Sequence, residues 1–264
     1  MLRLLWLILL NLQISNSFDQ ATVHPQSLDF GPCQIGYVST RNVTISNVGS
    51  TTVIVSSVYD SRSAFQGGVA RSETTSVKSG QQTQFAIMFL PQALGEVSET
   101  VQLFVYLTTS STPIGLFDIA AKGFGSENPY RLYPFVGVRW PTSVAYSPTV
   151  HIYNPHETEL EVEEIYASGG NLNLVPPFNE VQSWKIPPYE TKSIVRLNLF
   201  SEKSYNHLSY VTVRLAGNRP NIKLPVDVDL VSTAEVFPMP QSINFGSLAR
   251  DSPPKVVTNL FYLG

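Results

Sequence analysis

The chain has 264 residues, a net charge of −3 and 14% charged residues, whereas a typical soluble domain has about 25%. This charge balance gives no electrostatic basis for binding nucleic acid. Only one cysteine is present, so no disulfide can form within the chain. We expect Cys33 to be a buried small hydrophobic residue, the alternative being a pair with a cysteine outside this chain.

The first residues are typical of a secretory signal peptide. Arg3 is basic, Leu4 to Leu10 are apolar, and Ser15 and Ser17 are small residues placed for cleavage. The apolar run is shorter than the ~20 residues that span a bilayer, although a signal anchor is the alternative. We therefore predict a signal peptide over residues 1–17 and a mature chain facing the lumen of the endoplasmic reticulum or a later compartment. Any membrane-spanning helix is expected outside this chain, because no later stretch reaches 18 consecutive apolar residues.

An internal repeat organises the rest of the sequence. The stretch VTISNVGSTTVIVSSVY begins at Val43, and the similar stretch VHIYNPHETELEVEEIY begins at Val150. The motif PQSLDFG at Pro25 likewise returns as PQSINFG at Pro240, after about twice the spacing that separates the two longer stretches. Self-similarity at a fixed period indicates repeated structural units. The matched positions of the longer stretches are Val43/Val150, Ile45/Ile152, Asn47/Asn154, Thr51/Thr158, Val55/Val162 and Tyr59/Tyr166.

Each repeat has the pattern of a β-sheet domain. Val43 and Ile45 alternate with polar neighbours, which is typical of a half-buried strand. The turns NVGST and NPHET follow the first strand of each repeat, and the return strands VIVSSV and LEVEEI complete two hairpins. Later strands are FAIMF and VQLFVYL in the first repeat, and IVRLNLF and YVTVRLA in the second. Short strands with turns between them, and no capped helical period, predict an all-β fold of tandem immunoglobulin-like β-sandwiches.

The repeat also sets the predicted domain boundaries. We predict a first sandwich over residues 18–126, a second over 127–233, and over 234–264 the start of a third sandwich that is truncated. Leu28 and Phe30 of the PQSLDFG motif are expected to fill the core, while Gly31 lets the chain turn. This motif is therefore interpreted as the opening strand of a domain rather than as a ligand site.

Several stretches resemble known proteins. The opening motif, followed by a strand that ends in Asn-x-Gly, is similar to PapD-like and major-sperm-protein-like (MSP-like) sandwiches. Three further stretches look like the transmembrane protein 131 family, and the resemblance covers nearly all of the mature chain. They are FAIMFLPQALGEV (85–97), NPYRLYPFVGVRWP (128–141) and SPTVHIYNPHETELEVEEIYASGGNLNL (147–174).

The resemblance implies the luminal region of a single-pass type I membrane protein of the endoplasmic reticulum. It implies that this PapD-like region binds procollagen. It also implies a cytoplasmic tail, outside this chain, that connects to the COPII transport machinery and promotes collagen secretion. The alternative is a structural or adhesion array of immunoglobulin-like domains at the cell surface. A third interpretation, a cytoplasmic module of the ciliary type, is opposed by the signal peptide.

The sequence offers little catalytic chemistry. The four histidines are scattered, and no metalloprotease, redox, hydrolase or phosphate-loop motif is present. We expect His151 on an outward strand face and His156 in a solvent-facing turn. Alternating acidic residues predict a solvated sheet face or a charged edge rather than an acid–base pair: Glu159, Glu161 and Glu163. We therefore expect a non-enzymatic protein that uses no metal or cofactor.

The connection between the first two repeats is the candidate binding segment. Aromatic residues and arginine dominate the energetic centres of protein interfaces, and both are concentrated here. By analogy with PapD-type chaperones we expect Arg131, with Arg139, to anchor the client backbone or a carboxylate, while Tyr130, Phe135 and Trp140 supply contact area. The alternative is that this segment only packs the two sandwiches together.

Asn42-Val43-Thr44 is the one N-glycosylation sequon in the sequence. Asn42 and Thr44 alternate with the apolar Val43 and Ile45, so both polar side chains are expected to point away from the core. We therefore predict glycosylation at Asn42.

Overall fold

The computed structural model describes residues 20–57, 64–68, 74–169, 171–176, 184–232, 235–238 and 260–263. The predicted signal peptide over residues 1–17 lies outside these residues, as does most of the predicted third sandwich. The chain divides into two compact units, Met1–Asn128 and Pro129–Gly264. All the regular elements of the described residues are strands. None of the described segments forms a helix that is long and apolar enough to cross a membrane.

The first unit is a sandwich of two sheets. One sheet has the order β1-β3-β7-β5 and the other β2-β9-β8-β4-β6. Strand β2 runs parallel to β9, whereas the other paired strands of this unit are antiparallel. The strands are β1 (Ala21–His24), β2 (Ser27–Gln34), β3 (Ser39–Asn47), β4 (Val53–Ser57), β5 (Phe65–Gly68), β6 (Thr74–Val77), β7 (Gln82–Phe89), β8 (Gly95–Leu107) and β9 (Pro113–Ser126).

The core of the first unit lies between these sheets and draws on both. Val43 of β3 and Phe85 of β7 are fully buried on one side, and Leu103 of β8 and Ile119 of β9 on the other. The strand alternation read from the sequence is therefore confirmed at Val43 and Ile45, while Asn42 is exposed. Alternate residues of a strand face opposite sides of the sheet, so one face packs and the other meets solvent.

The PQSLDFG motif fills the core as predicted. Leu28 and Phe30 are buried, and the ring of Phe30 lies 5.6 Å from that of Phe89. Gly31 has a φ of +64°, which glycine adopts without steric cost, and the register with β9 shifts between Asp29 and Pro32. The Gly31 N–H donates to the Asp29 carboxylate, and this bond, together with Lys122, lowers the pKa of Asp29. The motif is thus a bulged opening strand.

Cys33 is buried in the same core, as predicted. Its side chain is 7% exposed, and the thiol donates to the Tyr37 carbonyl at 3.3 Å. Burial raises the pKa of the Cys33 thiol, because the apolar surroundings disfavour the thiolate. The residue is therefore a packing group in this structure.

The second unit repeats the first in its topology. Its sheets have the orders β10-β17-β16-β12-β14 and β11-β15-β13. Strand β10 pairs in parallel with β17, as β2 does with β9, and β11 pairs with β15, as β3 does with β7. Its strands are β10 (Phe135–Pro141), β11 (Thr149–Tyr153), β12 (Leu160–Ser168), β13 (Asn173–Val175), β14 (Lys185–Ile186), β15 (Thr191–Asn198), β16 (Tyr205–Leu215) and β17 (Ile222–Val231). A further antiparallel pair consists of β18 (Glu235–Pro238) and β19 (Leu260–Leu263).

The second unit also buries residues from both of its sheets. Ile152 of β11 and Leu197 of β15 are inaccessible to solvent, as are Val213 of β16 and Leu224 of β17. The predicted all-β fold of tandem immunoglobulin-like sandwiches is thereby confirmed. The division into three sandwiches with the stated boundaries stays a prediction.

Candidate functional site

Tyr130 is a packing residue of the second unit. It is 5% exposed, and its carbonyl accepts a hydrogen bond from the Tyr153 N–H at 2.9 Å. Its hydroxyl lies 3.3 Å from Nε2 of His156, and the two rings meet edge to face at 5.8 Å. His156 is half-buried against Tyr130, so the turn that was predicted to face solvent is only partly exposed at this residue. Tyr130 therefore packs against the turn that contains His156.

Trp140 is buried as well. It is 5% exposed, its indole N–H donates to the Val144 carbonyl at 3.2 Å, and its ring lies 5.4 Å from that of Tyr146. Burial also raises the pKa of the Tyr146 phenol. Tyr130 and Trp140 therefore present almost no surface to a partner, contrary to the expectation that both supply contact area. Phe135, at the start of β10, keeps partial exposure.

Arg131 remains on the surface in a constrained position. Its φ is +54°, a region that costs a side-chain-bearing residue energy, and its guanidinium lies 4.0 Å from the centre of the Tyr153 ring. Within the described residues Arg131 forms no ion pair with a carboxylate. Stacking on an aromatic face fixes the guanidinium plane while leaving its edge N–H groups able to donate. Arg139 is also exposed and lies in register with Asp229 of β17.

Sequence reasoning missed Tyr189, which lies at the same end of the second unit as Arg131. It occupies the turn before β15, where the Glu190 N–H donates to the Pro187 carbonyl, and it has a φ of +59° with 57% exposure. The matching turn of the first unit has Gly80 there, at a φ of +70°. A bulky residue where the sibling repeat has glycine is a signal that an alignment of the two repeats could have found.

Four side chains therefore flank the end of β11. Arg131 stacks on Tyr153, His156 follows in the next loop, and Tyr189 lies in the turn that bonds to Asn154. We call this set the Arg131 surface: Arg131, Tyr153, His156 and Tyr189. It combines a preoriented cation with partly exposed aromatic groups, the residue types that dominate the energetic centres of protein interfaces.

The acidic strand is a charged, solvated face, as predicted. Lys185 lies 3.4 Å from Glu159, and Arg214 contacts both Glu163 and Glu164 at 3.1 Å. Both glutamates reach one arginine because the register of β12 shifts between Val162 and Glu164. His151 also faces outward, with Nδ1 3.1 Å from the Ser193 hydroxyl. These exposed ion pairs stabilise the fold little.

One buried histidine–serine pair was not anticipated from the sequence. On β16, Nε2 of His207 lies 2.9 Å from the Ser209 hydroxyl, and Nδ1 lies 3.4 Å from the hydroxyl of Tyr205. Ser209 has no exposed surface, so no substrate reaches its oxygen. Asp227 pairs in register with Leu208, on the other face of the sheet, and therefore does not complete a catalytic triad. Among the residues that the structure places, no cluster of three potential ligands is positioned to hold a metal ion.

Known proteins match both units of the chain. The transmembrane protein 131-like N-terminal model matches residues 21–105, and the model of the transmembrane protein 131 second Ig-like domain matches residues 129–214. Transmembrane protein 131 of Mus musculus is 31% identical over 240 residues, covering 88% of this chain and 12% of the mouse protein. The transmembrane protein 131 homolog of Drosophila melanogaster is 32% identical over 235 residues, covering 87% and 14% respectively. The chain thus spans a small part of the length of these relatives.

Solved structures show weaker similarity. PapD-like domain 7 of human CEP192 gives a TM-score of 0.35 at 16% identity, covering 42% of this chain and 87% of that domain. The class 5 fimbriae chaperone CfaA gives a TM-score of 0.31 at 11% identity, covering 79% and 98%. These TM-scores are too low to argue from, so the fold rests on the strands described above. The two family models together match well over half of the sequence, one on each unit. The chain belongs to the transmembrane protein 131 family.

Proposed function

We propose that this chain is a non-enzymatic, luminal client-binding region of a type I membrane protein that recruits procollagen for secretion from the endoplasmic reticulum. Family membership and the tandem sandwiches support a binding region that lies outside the membrane. The resemblance stated above implies the client, procollagen, and a COPII connection through a cytoplasmic tail outside this chain. Membrane anchoring is assigned to a helix that is likewise outside it.

The observation that carries the proposal is the position of the Arg131 guanidinium over the Tyr153 ring. A guanidinium stacked on Tyr153, without a carboxylate partner in the described residues, is oriented before any ligand arrives. Preorientation lowers the entropy lost when the client binds. Its planar set of N–H donors can bind a carboxylate with two parallel hydrogen bonds, or the carbonyls of an extended chain.

The adjacent edge of β11 suits an extended client. One edge of β11 pairs with β15, whereas its other edge makes one backbone hydrogen bond within the described residues, from the Tyr153 N–H to the Tyr130 carbonyl. Alternate residues of a strand direct their backbone groups to the same edge, so those of His151 face the open edge as well. An added strand would pair there and pass the Arg131 surface, the recognition mode known as β-augmentation.

The test is capture of procollagen by the chain expressed in a secretory host. Arg131→Glu is expected to reduce procollagen recovery by about tenfold or more, since loss of a charged interfacial hydrogen bond costs at least ~1.4 kcal/mol. Lys203→Glu makes the same charge change in an exposed turn at the opposite end of the unit and serves as the matched control. Tyr130→Ala is unsuitable as a surface test, because Tyr130 is buried.

Equal recovery by folded Arg131→Glu and wild-type chains would remove Arg131 from the binding site. Failure of the wild-type chain to retain procollagen would contradict the procollagen assignment itself. Location of the full-length protein tests the alternative, because display at the plasma membrane would favour an adhesion array over recruitment for export.

A further inference from the structure

Asn42 lies on the surface of β3, beyond the point where the pairing of β3 with β1 ends. Its side chain is exposed, and Nδ2 donates to the Gln84 side-chain carbonyl at 3.1 Å. Val43, the middle residue of the sequon, is fully buried, so the flanking Asn42 and Thr44 both project from the outer face. The acceptor amide is therefore positioned where a bulky group meets solvent.

The backbone at Asn42 belongs to an open edge. Strand β1 pairs with β3 from Asn47 to Thr44 and ends there at His24, whereas β7 continues on the other side to Ser39. Successive residues of a strand direct their backbone groups to opposite edges. The Asn47 N–H bonds to the Gln81 carbonyl on the β7 side, so the backbone groups of Ser46 and of every second residue before it face the β1 side. These residues include Thr44, Asn42 and Thr40. Beyond His24, no described strand occupies that side. An exposed row of strand donors and acceptors is a template for unwanted pairing.

We propose that Asn42 carries an N-linked glycan that covers the open edge of β3. The inference rests on the luminal placement proposed above, since the oligosaccharide donor is a lumen-facing lipid pyrophosphate. In the transfer the Asn42 amide nitrogen forms a bond to the sugar C1, the sugar–pyrophosphate bond breaks, and one N–H proton leaves with the lipid pyrophosphate. Nδ2 keeps one hydrogen and so remains able to donate to Gln84.

The two repeats differ at this position. Thr149 of β11 is the counterpart of Asn42, because it directly precedes Val150 as Asn42 precedes Val43, and Thr149-Val150-His151 is not a sequon. The glycan thus closes the edge of the first unit and leaves the corresponding edge of the second unit, beside the Arg131 surface, open to a client. Strand addition is thereby directed to one repeat of the pair.

The first experiment measures occupancy in the 264-residue chain, expressed with its own N-terminal segment in cultured animal cells. Peptide-N-glycosidase treatment is expected to increase the gel mobility by one glycan and to convert Asn42 to aspartate, detectable by mass spectrometry. Asn42→Gln and Thr44→Ala are expected to abolish the shift, while Thr44→Ser keeps the hydroxyl and the shift.

A second glycosylation site, introduced in the second unit, tests luminal placement separately from the proposed glycan at Asn42. Pro220→Thr creates a sequon at Asn218, an exposed turn residue of the second unit. If Asn218 is modified in that variant and Asn42 is not, the glycan proposal fails while luminal delivery stands. If neither is modified, luminal delivery fails and the proposed function fails with it.

The edge-covering role has its own measurement. The glycosylated chain is expected to stay monomeric in size-exclusion chromatography with light scattering, while Asn42→Gln forms dimers as concentration rises. Asn42→Gln combined with Thr40→Lys is expected to be monomeric again, because a lysine on the open edge discourages pairing. A monomeric Asn42→Gln chain across the whole concentration range would overturn the covering role.

Discussion

Asn47 and Asn154 occupy the same position in the two repeats and make equivalent hydrogen bonds in their two sandwiches. Nδ2 of Asn47 donates to the carbonyls of Thr51 and Val77, and its Oδ1 accepts from the Gly49 N–H. Nδ2 of Asn154 donates to the Thr158 and Ile186 carbonyls, and its Oδ1 accepts from the His156 N–H. Each asparagine is buried and joins the loop after its strand to a strand of the opposite sheet.

Replacing either asparagine by alanine is expected to destabilise its own unit by about 2–3 kcal/mol, because buried carbonyls lose their donors. Denaturant unfolding followed by hydrogen-exchange mass spectrometry measures the two units separately. Asn221→Ala, at an exposed position, is the control and should change stability by less than about 0.5 kcal/mol. Loss of protection in both units from a single substitution would contradict the local role.

Tyr189→Gly is expected to leave the stability of the second unit unchanged or to raise it by up to about 1 kcal/mol, because glycine adopts the positive φ of this turn without strain. Gly80 does so in the first unit. Tyr166→Gly removes another exposed tyrosine, but from within β12, and should destabilise by about 0.5–1 kcal/mol. Chemical unfolding of the two variants measures whether each substitution raises or lowers the stability of the second unit. Reduced procollagen capture by a stable Tyr189→Gly chain would place Tyr189 in the binding site.

Cys33 is expected to react slowly with thiol reagents in the folded chain and rapidly after unfolding. Burial raises the pKa of its thiol, so little thiolate, the reactive form, is present near neutral pH. Labelling with iodoacetamide before and after denaturation, read by mass spectrometry, measures the difference. Equal labelling rates in the two states would show that Cys33 is accessible and able to pair with an external cysteine.

The second unit is expected to lose stability as the pH falls below about 6.5, where histidine titrates in unfolded chains. Burial lowers the pKa of His207 in the folded state, so the unfolded chain binds the proton first. The stabilisation from neutral His207 is thus complete above the pKa that this histidine has in the unfolded chain. It falls as the pH drops below that value and is fully lost below the pKa of His207 in the folded chain. His207→Gln should flatten this profile in chemical unfolding at several pH values, whereas His151→Gln, at an exposed position, should not. An identical profile for His207→Gln would assign the pH dependence to other groups.

Local patterns predicted most of the fold because they report which face of a strand is buried. Val43 and Ile45 alternate with polar residues, and Leu28 and Phe30 stand two apart, so each pair was assigned to the core and is found there. The candidate site was predicted less well. Tyr130 and Trp140 were assigned to the surface from residue type, but aromatic residues serve binding surfaces and cores equally well.

The sequence by itself determined the repeat, the all-β class, the core-facing strand positions, the buried cysteine and the one sequon. These follow from periodicity and residue chemistry, which are local along the chain. Only the tertiary structure decided that Tyr130 packs on His156, that Arg131 stacks on Tyr153, and that β1 ends before it reaches Asn42. Each of these depends on segments brought together by strand pairing, and the spacing of residues within one strand does not specify which neighbour lies across it.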